Sequence, residues 1–202
     1  MQRTSRFLAI GFALLLGVPA VQAQTFTTTL SGANENPPNA TTGVGTAFVV
    51  LNTTAHTLRV NASFAGLAGN TTAAHIHCCV APPGNVGVAT TTPSFVGFPL
   101  GVTSGAFDQI YDMTQATTWN APFIAANGGT PAGAEAALVA GIAAGQAYFN
   151  IHTGAFPAGE MRGFLALQLP AGEIPTLSEW MMGALALLLA AVAWVAMRKR
   201  VE

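Results

Sequence analysis

A regular alternation of apolar and polar side chains is the feature that limits the fold of this chain most. From 57 to 64 every second residue is apolar, which is the pattern of a β-strand with one face buried and the other in water. Similar runs, rich in β-branched and aromatic residues, recur over 24–170 between turns of Gly, Pro and Asn. Roughly seven or eight such strands predict an all-β domain, folded as an antiparallel β-sandwich or a barrel-like sheet.

The expected strands are short and leave room for one short helix. That helix is predicted at 131–144, where good helix formers predominate, and Gly145 would end it. A hairpin turn is expected at 52–55, with His56 beside it. The expected strands are 25–30, 45–51, 57–64, 73–79, 102–111, 148–152 and 163–169.

The first 23 residues predict a secretory signal peptide. Two arginines precede an apolar run at 7–18, and Val21-Gln22-Ala23 forms a small-x-small cleavage pattern. The alternative is an uncleaved anchor, but a run of about 12 apolar residues is shorter than the roughly 20 that span a bilayer. We therefore expect a mature chain that begins at Gln24.

A second apolar segment predicts a transmembrane helix at 181–197. It is unbroken, and the basic tail 198–202 follows it directly. Basic residues after an apolar helix are typical of a stop-transfer segment with a cytoplasmic end. Residues 171–180 would then be a linker between the domain and the membrane.

This linker carries a short motif, Ile174-Pro175-Thr176-Leu177, with Trp180 just beyond it. The order of motif, apolar helix and basic end resembles the IPTL-type C-terminal sorting signal of Gram-negative bacteria. The resemblance implies recognition by an exosortase-like membrane enzyme, which would cut near the motif and move the protein to the envelope surface.

Charge is scarce between the two apolar segments. Charged residues make up 7% of the chain, against roughly 25% in an average soluble protein. Arg59 and Arg162 are the only basic residues from Gln24 to Ile174. Binding to nucleic acid needs a basic surface that neutralises phosphates, so the sequence excludes a nucleic-acid partner.

Three motifs are spread in order over 24–170. They are Leu30-Ser31-Gly32-Ala33-Asn34-Glu35-Asn36-Pro37-Pro38, then Ala74-His75-Ile76-His77, then Tyr148-Phe149-Asn150-Ile151-His152-Thr153 with Phe156-Pro157-Ala158-Gly159-Glu160-Met161-Arg162-Gly163. Together they resemble a CHRD domain, a module named for chordin and widespread in bacterial exported proteins. The resemblance implies a β-rich fold for the whole domain but no particular activity, because one fold serves many functions.

Histidines are the strongest chemical signal in the domain. His75 and His77 are two residues apart on an expected strand, so both imidazoles point to the same side. If the strand of His152 lies beside theirs, three neutral imidazoles converge on one cation, and such a set suits Zn²⁺ or Cu²⁺. The alternative is three structural histidines that bond turn backbone. The four histidines of the chain are too few for a dinuclear copper/zinc dismutase site.

Cys78 and Cys79 leave three alternatives open. They are the two cysteines of the chain, so in an oxidising compartment they can pair only with each other. The second alternative is one buried and one surface cysteine without a bond. In the third, Cys79 shares a face with His75 and His77 and adds a thiolate ligand to the metal site.

Glu160 and Arg162 are interpreted as structural residues of the turn at 159–163. Two apart on a strand, they share a face, and the expected role of Arg162 is a partly buried ion pair or a fork onto backbone carbonyls. No nucleophile elbow, catalytic triad or phosphate-binding glycine loop is present in the sequence, so no catalytic residue is assigned.

We interpret the chain as an exported module, anchored to the envelope, that has a structural or binding role and no chemistry of its own. Its expected partners are the membrane, the processing enzyme and a surface or matrix polymer. We expect an inner-membrane intermediate with the domain in the periplasm, and then delivery to the cell surface or beyond. The rival interpretation is a mononuclear zinc or copper protein, with or without an enzymatic reaction, whose ligands are His75, His77 and His152.

Overall fold

The computed structural model describes residues 23–169 and 179–198. Residues 1–22 of the predicted signal peptide at 1–23, the sorting motif at 174–177 and the basic residues after 198 lie outside the described residues. The elements are β1 (Gln24–Ser31), β2 (Val44–Asn52), β3 (Thr57–Ala65), β4 (Thr71–Cys78), β5 (Gly105–Asp112), α1 (Ala121–Ala126), α2 (Pro131–Ala143), β6 (Ala147–Thr153), β7 (Met161–Phe164), β8 (Ala166–Leu167) and α3 (Glu179–Arg198).

The described strands form one eight-stranded sheet in the order β4-β6-β7-β1-β2-β3-β5, with β8 paired to β1. Each pairing is antiparallel. The sheet is curled, and one side chain shows it. Phe95 packs at 6.1 Å on Phe107 of one edge strand and, at the same distance, on Phe149 of the strand next to the other edge. The predicted all-β antiparallel class is confirmed, in the form of a half-barrel around one core.

The alternation that predicts the third strand places its apolar face in that core. Leu58 and Val60 are fully buried, and their neighbour Arg59 is exposed. The hairpin turn before this strand also forms, because Asn52 Oδ1 accepts hydrogen bonds from the backbone of residues 54 and 55. His56 ends the turn and bonds Glu135 of α2 at 2.9 Å, so the fourth histidine of the chain lies apart from the other three.

The predicted helix is α2. Thr130 caps its start by accepting a hydrogen bond from Gly133 N at 3.1 Å, and Gly145 follows its end with a φ of +67°. The expectation of a single short helix was wrong, because α1 precedes it. This six-residue helix is too short to show a period, and it is stabilised by packing of Phe123 on Trp119 at 6.2 Å.

Apart from shifts of one or two residues at strand ends, two expected strands differ from those observed. Val102 does not begin the fifth strand, because its backbone bonds Thr71 of β4 instead. The last expected strand is divided into β7 and β8 at Leu165, which is buried and bonds the carbonyl of Ala147. Both changes follow from long-range backbone pairing that a local pattern does not contain.

The C-terminal apolar segment is helical, as α3 spans Glu179–Arg198 and Trp180 lies in its first turn. No helix of the described part of the chain has both the length and the apolar character needed to cross a membrane. The span at 181–197 therefore stays a prediction.

Candidate metal centre

Strands β4 and β6 bring the three histidines together. On β4 the residues Ala74 and Ile76 point into the core, so His75 and His77 point to the opposite face of the sheet. His152 lies on the same outer face of β6, which is paired directly with β4. One ring nitrogen from each histidine lies within 4.8 Å of one from each of the others. The predicted juxtaposition of the two motifs is present.

Each ring is oriented by one backbone carbonyl. His75 Nε2 donates to Pro93 O at 2.6 Å, His77 Nδ1 to Val86 O at 2.8 Å, and His152 Nδ1 to Pro157 O at 3.0 Å. A carbonyl can only accept, so these three nitrogens carry the hydrogen of a neutral ring. The backbone thereby selects the tautomer of each histidine, which is the usual arrangement behind a metal ligand.

The other nitrogen of each ring carries no hydrogen and can only accept a hydrogen bond or bind a cation. His75 Nδ1, His77 Nε2 and His152 Nε2 are buried and have no hydrogen-bond partner among the described residues. Three acceptors cannot satisfy one another, because none of them has a hydrogen to give. The set therefore favours a group that brings positive charge or hydrogen-bond donors.

Burial keeps the cluster unprotonated. It lowers the pKa of His75 and of His77 to about 4, although the carbonyl bond to each ring opposes the shift. Burial also lowers the pKa of the half-buried His152. At neutral pH all three rings are uncharged, which is the protonation state that binds a metal ion.

The donor set suits zinc or copper. Imidazole nitrogens are preferred ligands of both ions, and three of them leave one position open. Ligands of a tetrahedral zinc ion with bonds of about 2.1 Å lie about 3.4 Å apart. The ring nitrogens lie within 4.8 Å of one another. To bind zinc, each pair of nitrogens would therefore have to come closer by about 1.4 Å at most.

Arg162 supports the cluster from the side. It is fully buried, and its guanidinium lies 4.7 Å above the ring of Tyr148, which in turn stacks on His77 at 4.7 Å. It forks onto the carbonyls of Asn34, Pro83 and Gly84 and onto Asn85 Oδ1 at 2.6–3.2 Å. Both roles expected for Arg162 are present: the fork onto carbonyls, and a buried ion pair in which its Nε lies 3.9 Å from Glu35 Oε2.

Glu160 does not pair with Arg162. Its carboxylate accepts hydrogen bonds from Thr41 Oγ1, Ala68 N and Thr153 Oγ1 at 2.5–2.7 Å. Burial alone would raise its pKa, but these bonds hold the pKa below its usual value. Glu160 thus ties the 41–43 and 66–69 loops to the end of β6.

Glu35 and Asn150 are polar residues of this face to which the sequence assigns no site role. Glu35 Oε1 and Asn150 Oδ1 are buried without a hydrogen-bond partner in the described structure. Burial raises the pKa of Glu35 to about 7, against the effect of Arg162, whose Nε is 3.9 Å from Glu35 Oε2. The signal for Glu35 in the sequence is its place in the first CHRD-like motif.

Gly159 covers this pair of side chains. A Cβ on Gly159 would lie 2.8 Å from Glu35 Oε1 and 2.7 Å from Asn150 Nδ2, and its φ is +136°. Only glycine combines that backbone conformation with such close packing.

Cys79 is not a metal ligand in this structure. It forms a disulfide with Cys78, so it has no thiolate to offer, and the alternative that gave it this role is corrected. The strand ends at Cys78, and the alternation that would have placed Cys79 beside His77 ends with it.

Comparison with known proteins agrees with both resemblances that the sequence motifs indicated. The CHRD domain model matches residues 26–165, and the IPTL-CTERM motif model matches 174–199. No curated protein and no solved structure matches the chain. The sorting motif is that of an exported, cell-surface protein. Since the domain model covers well over half of the sequence, the chain belongs to the CHRD domain family.

Proposed function

We propose that this protein is a surface-anchored CHRD-domain protein whose domain binds one transition-metal ion, Zn²⁺ or Cu²⁺, through His75, His77 and His152. The ion would sit on the outer face of β4 and β6, beneath the loops that supply the three orienting carbonyls.

One observation carries this proposal: three neutral imidazoles lie in one cluster, and each has one nitrogen bonded to a carbonyl and one buried nitrogen without a partner among the described residues. A purely structural role accounts for the bonded nitrogens but not for the others. A buried polar atom without a partner costs about 1–3 kcal/mol, and an ion would satisfy three at once.

The chemistry available is that of an ion with three neutral ligands and an open position, which acts as a Lewis acid or, for copper, as a redox centre. The protein's own part is to hold the tautomers, to exclude bulk water with Tyr148 and the 79–88 loop, and to keep Arg162 nearby as a fixed positive charge. We assign no reaction.

Delivery to the surface is supported by the IPTL-CTERM match, which points to a sorting enzyme and to membrane anchoring. We propose in addition that the signal peptide at 1–23 is removed, that the segment at 181–197 is held in the membrane, and that an exosortase-like enzyme cuts near 174–177. A surface or matrix polymer is the partner that we propose for the displayed domain.

Elemental analysis tests the metal proposal. The full chain, purified in detergent and dialysed, should contain close to one zinc or copper ion by inductively coupled plasma mass spectrometry. His75→Ala and His152→Ala should lose the ion. His56→Ala is the matched control and should retain it, because His56 bonds Glu135 away from the cluster. A folded chain that takes up neither ion would overturn the proposal.

A further inference from the structure

The Cys78–Cys79 disulfide lies at the root of the loop that orients His77. The 79–88 loop leaves the end of β4 at Cys79 and returns at Val88, which bridges back to His77. Within the loop, Val86 O accepts the hydrogen bond from His77 Nδ1, and Pro83 O accepts one from Arg162. The disulfide thus restrains the backbone at the point where β4 ends and the segment that orients one of the three proposed ligands begins.

The two sulfur-bearing residues differ in exposure. Cys78 is 3% exposed and faces the core, whereas Cys79 is exposed. A disulfide is opened by a thiolate that reaches one of its sulfurs, and exposed disulfides are the labile ones. Cys79 is therefore the residue of the pair that an incoming thiol meets first.

Helix α2 is shaped to accommodate this pair. A Cβ on Gly141 would overlap Cys78 Sγ and Cys79 Sγ, so the helix can pack on the disulfide only because Gly141 has no side chain. Cys78 and Cys79 are the two cysteines of the chain, and no other cysteine competes for either sulfur.

We propose that Cys78–Cys79 is a thiol-reactive site that small extracellular thiols open at Cys79, and that opening it weakens ion binding at the three-histidine cluster. The second half rests on the proposed metal function; the first half stands without it.

The reaction balances with two thiols. A thiolate attacks Cys79 Sγ, the Cys78–Cys79 bond breaks, and the Cys78 thiolate leaves and takes up a proton. A second thiol attacks the outer sulfur of the mixed disulfide and releases Cys79. Two thiols are oxidised to one disulfide, and the protein is reduced to a dithiol.

The link to the cluster is mechanical. With the bond open, the small ring that restrains the backbone of Cys78 and Cys79 is gone, so the start of the 79–88 loop is less fixed and the carbonyl of Val86 orients His77 less well. Loss of such an outer partner typically lowers metal affinity 10–100-fold. We expect a decrease of about tenfold in zinc affinity.

Trapping measures the first half directly. The folded full chain in detergent, kept metal-free, is treated with excess dithiothreitol, quenched with N-ethylmaleimide and weighed by mass spectrometry. At least one added maleimide, on Cys79, is expected without denaturant, and none in a sample that received no dithiothreitol. A chain that gains no maleimide until guanidinium is added would overturn the proposal of a reactive site.

Competition with a chromophoric chelator measures the second half. Zinc affinity is compared between the oxidised wild type and the Cys78→Ser, Cys79→Ser double variant, which has no bond and no thiol ligand. The wild type, reduced and then blocked with iodoacetamide, is the second open form. Both should bind zinc about tenfold more weakly. Equal or tighter binding in the open forms would refute the link. A wild type that binds neither zinc nor, in the same assay, copper would refute the metal function and leave the trapping result standing.

Discussion

Replacement of Arg162 by methionine removes a buried cation and leaves the size of the side chain nearly unchanged. Four hydrogen bonds are lost, to Asn34, Pro83, Gly84 and Asn85. A bond with a charged donor contributes about 1.5–3 kcal/mol, but the acceptors belong to loops that can turn toward water. We therefore expect a loss of about 4 kcal/mol in the free energy of unfolding, within the range for broken buried charge networks.

Urea denaturation followed by tryptophan fluorescence is the assay. With a dependence of about 2 kcal/mol per molar urea, the transition midpoint should fall by about 2 M. Arg162→Lys should lie between the wild type and Arg162→Met, because an ammonium group cannot fork onto several carbonyls.

Arg59→Met is the matched control for the loss of an arginine. Arg59 forms an exposed pair with Asp108 on the outer face of β3 and β5, and pairs of this kind contribute little to stability. Its transition should stay close to that of the wild type. If Arg162→Met moved the midpoint no more than Arg59→Met, the argument that Arg162 pins the loops over the cluster would be refuted.

Three further predictions concern the same face. In metal-free protein the pKa of His75 and His77 is about 4, below the ordinary value of 6.5. Between these pH values the unfolded chain binds more protons than the folded chain. The free energy of unfolding should therefore fall as the pH drops from 6.5 to 4, by about 3 kcal/mol for each ring. The raised pKa of Glu35, about 7, has the opposite effect, because its carboxyl takes up a proton more readily in the folded chain and so offsets part of this loss. Glu35→Gln should therefore show a steeper pH dependence of stability than the wild type in urea titrations. A stability that does not change with pH in that variant would contradict the assignment. Gly159→Ala should lower the melting temperature by several degrees, because alanine is strained at a φ of +136° and meets Glu35; an unchanged melting temperature would count against the packing described. Glu160→Gln should destabilise the domain by about 1–3 kcal/mol at pH 7 through its weakened bonds to Thr41 and Thr153, and the difference should shrink below pH 4.5, where the lowered carboxyl pKa stops contributing.

Local pattern was sufficient for much of the fold. The period-two alternation at 57–64 places Leu58 and Val60 in the core, and Gly145 ends α2 as its φ preference requires. These features depend on a few neighbouring residues, so they can be read along the chain. Helix α1 and the start of β5 could not be predicted in that way, because packing on Trp119 and pairing with Thr71 decide them.

Part of the candidate site can likewise be predicted from the sequence, and part depends on strand pairing. His75 and His77 share a face because strand geometry requires it, and that much follows from their spacing. Their proximity to His152 depends on the pairing of β4 with β6, two strands separated by about half of the domain. The fate of Cys79 depended on where β4 ends, which the alternation by itself does not indicate.

The sequence by itself determined the residue types, the faces of individual strands, the family and the sorting motif, since all of these are carried by short segments or by their order. Tertiary structure alone decided that three histidines converge, that loop carbonyls orient each ring, and that Arg162 forks onto loops far from it in the chain instead of pairing with Glu160. The physical reason is that hydrogen bonding and burial act through space: which acceptor meets which donor is settled only when strands far apart in the chain are paired and covered.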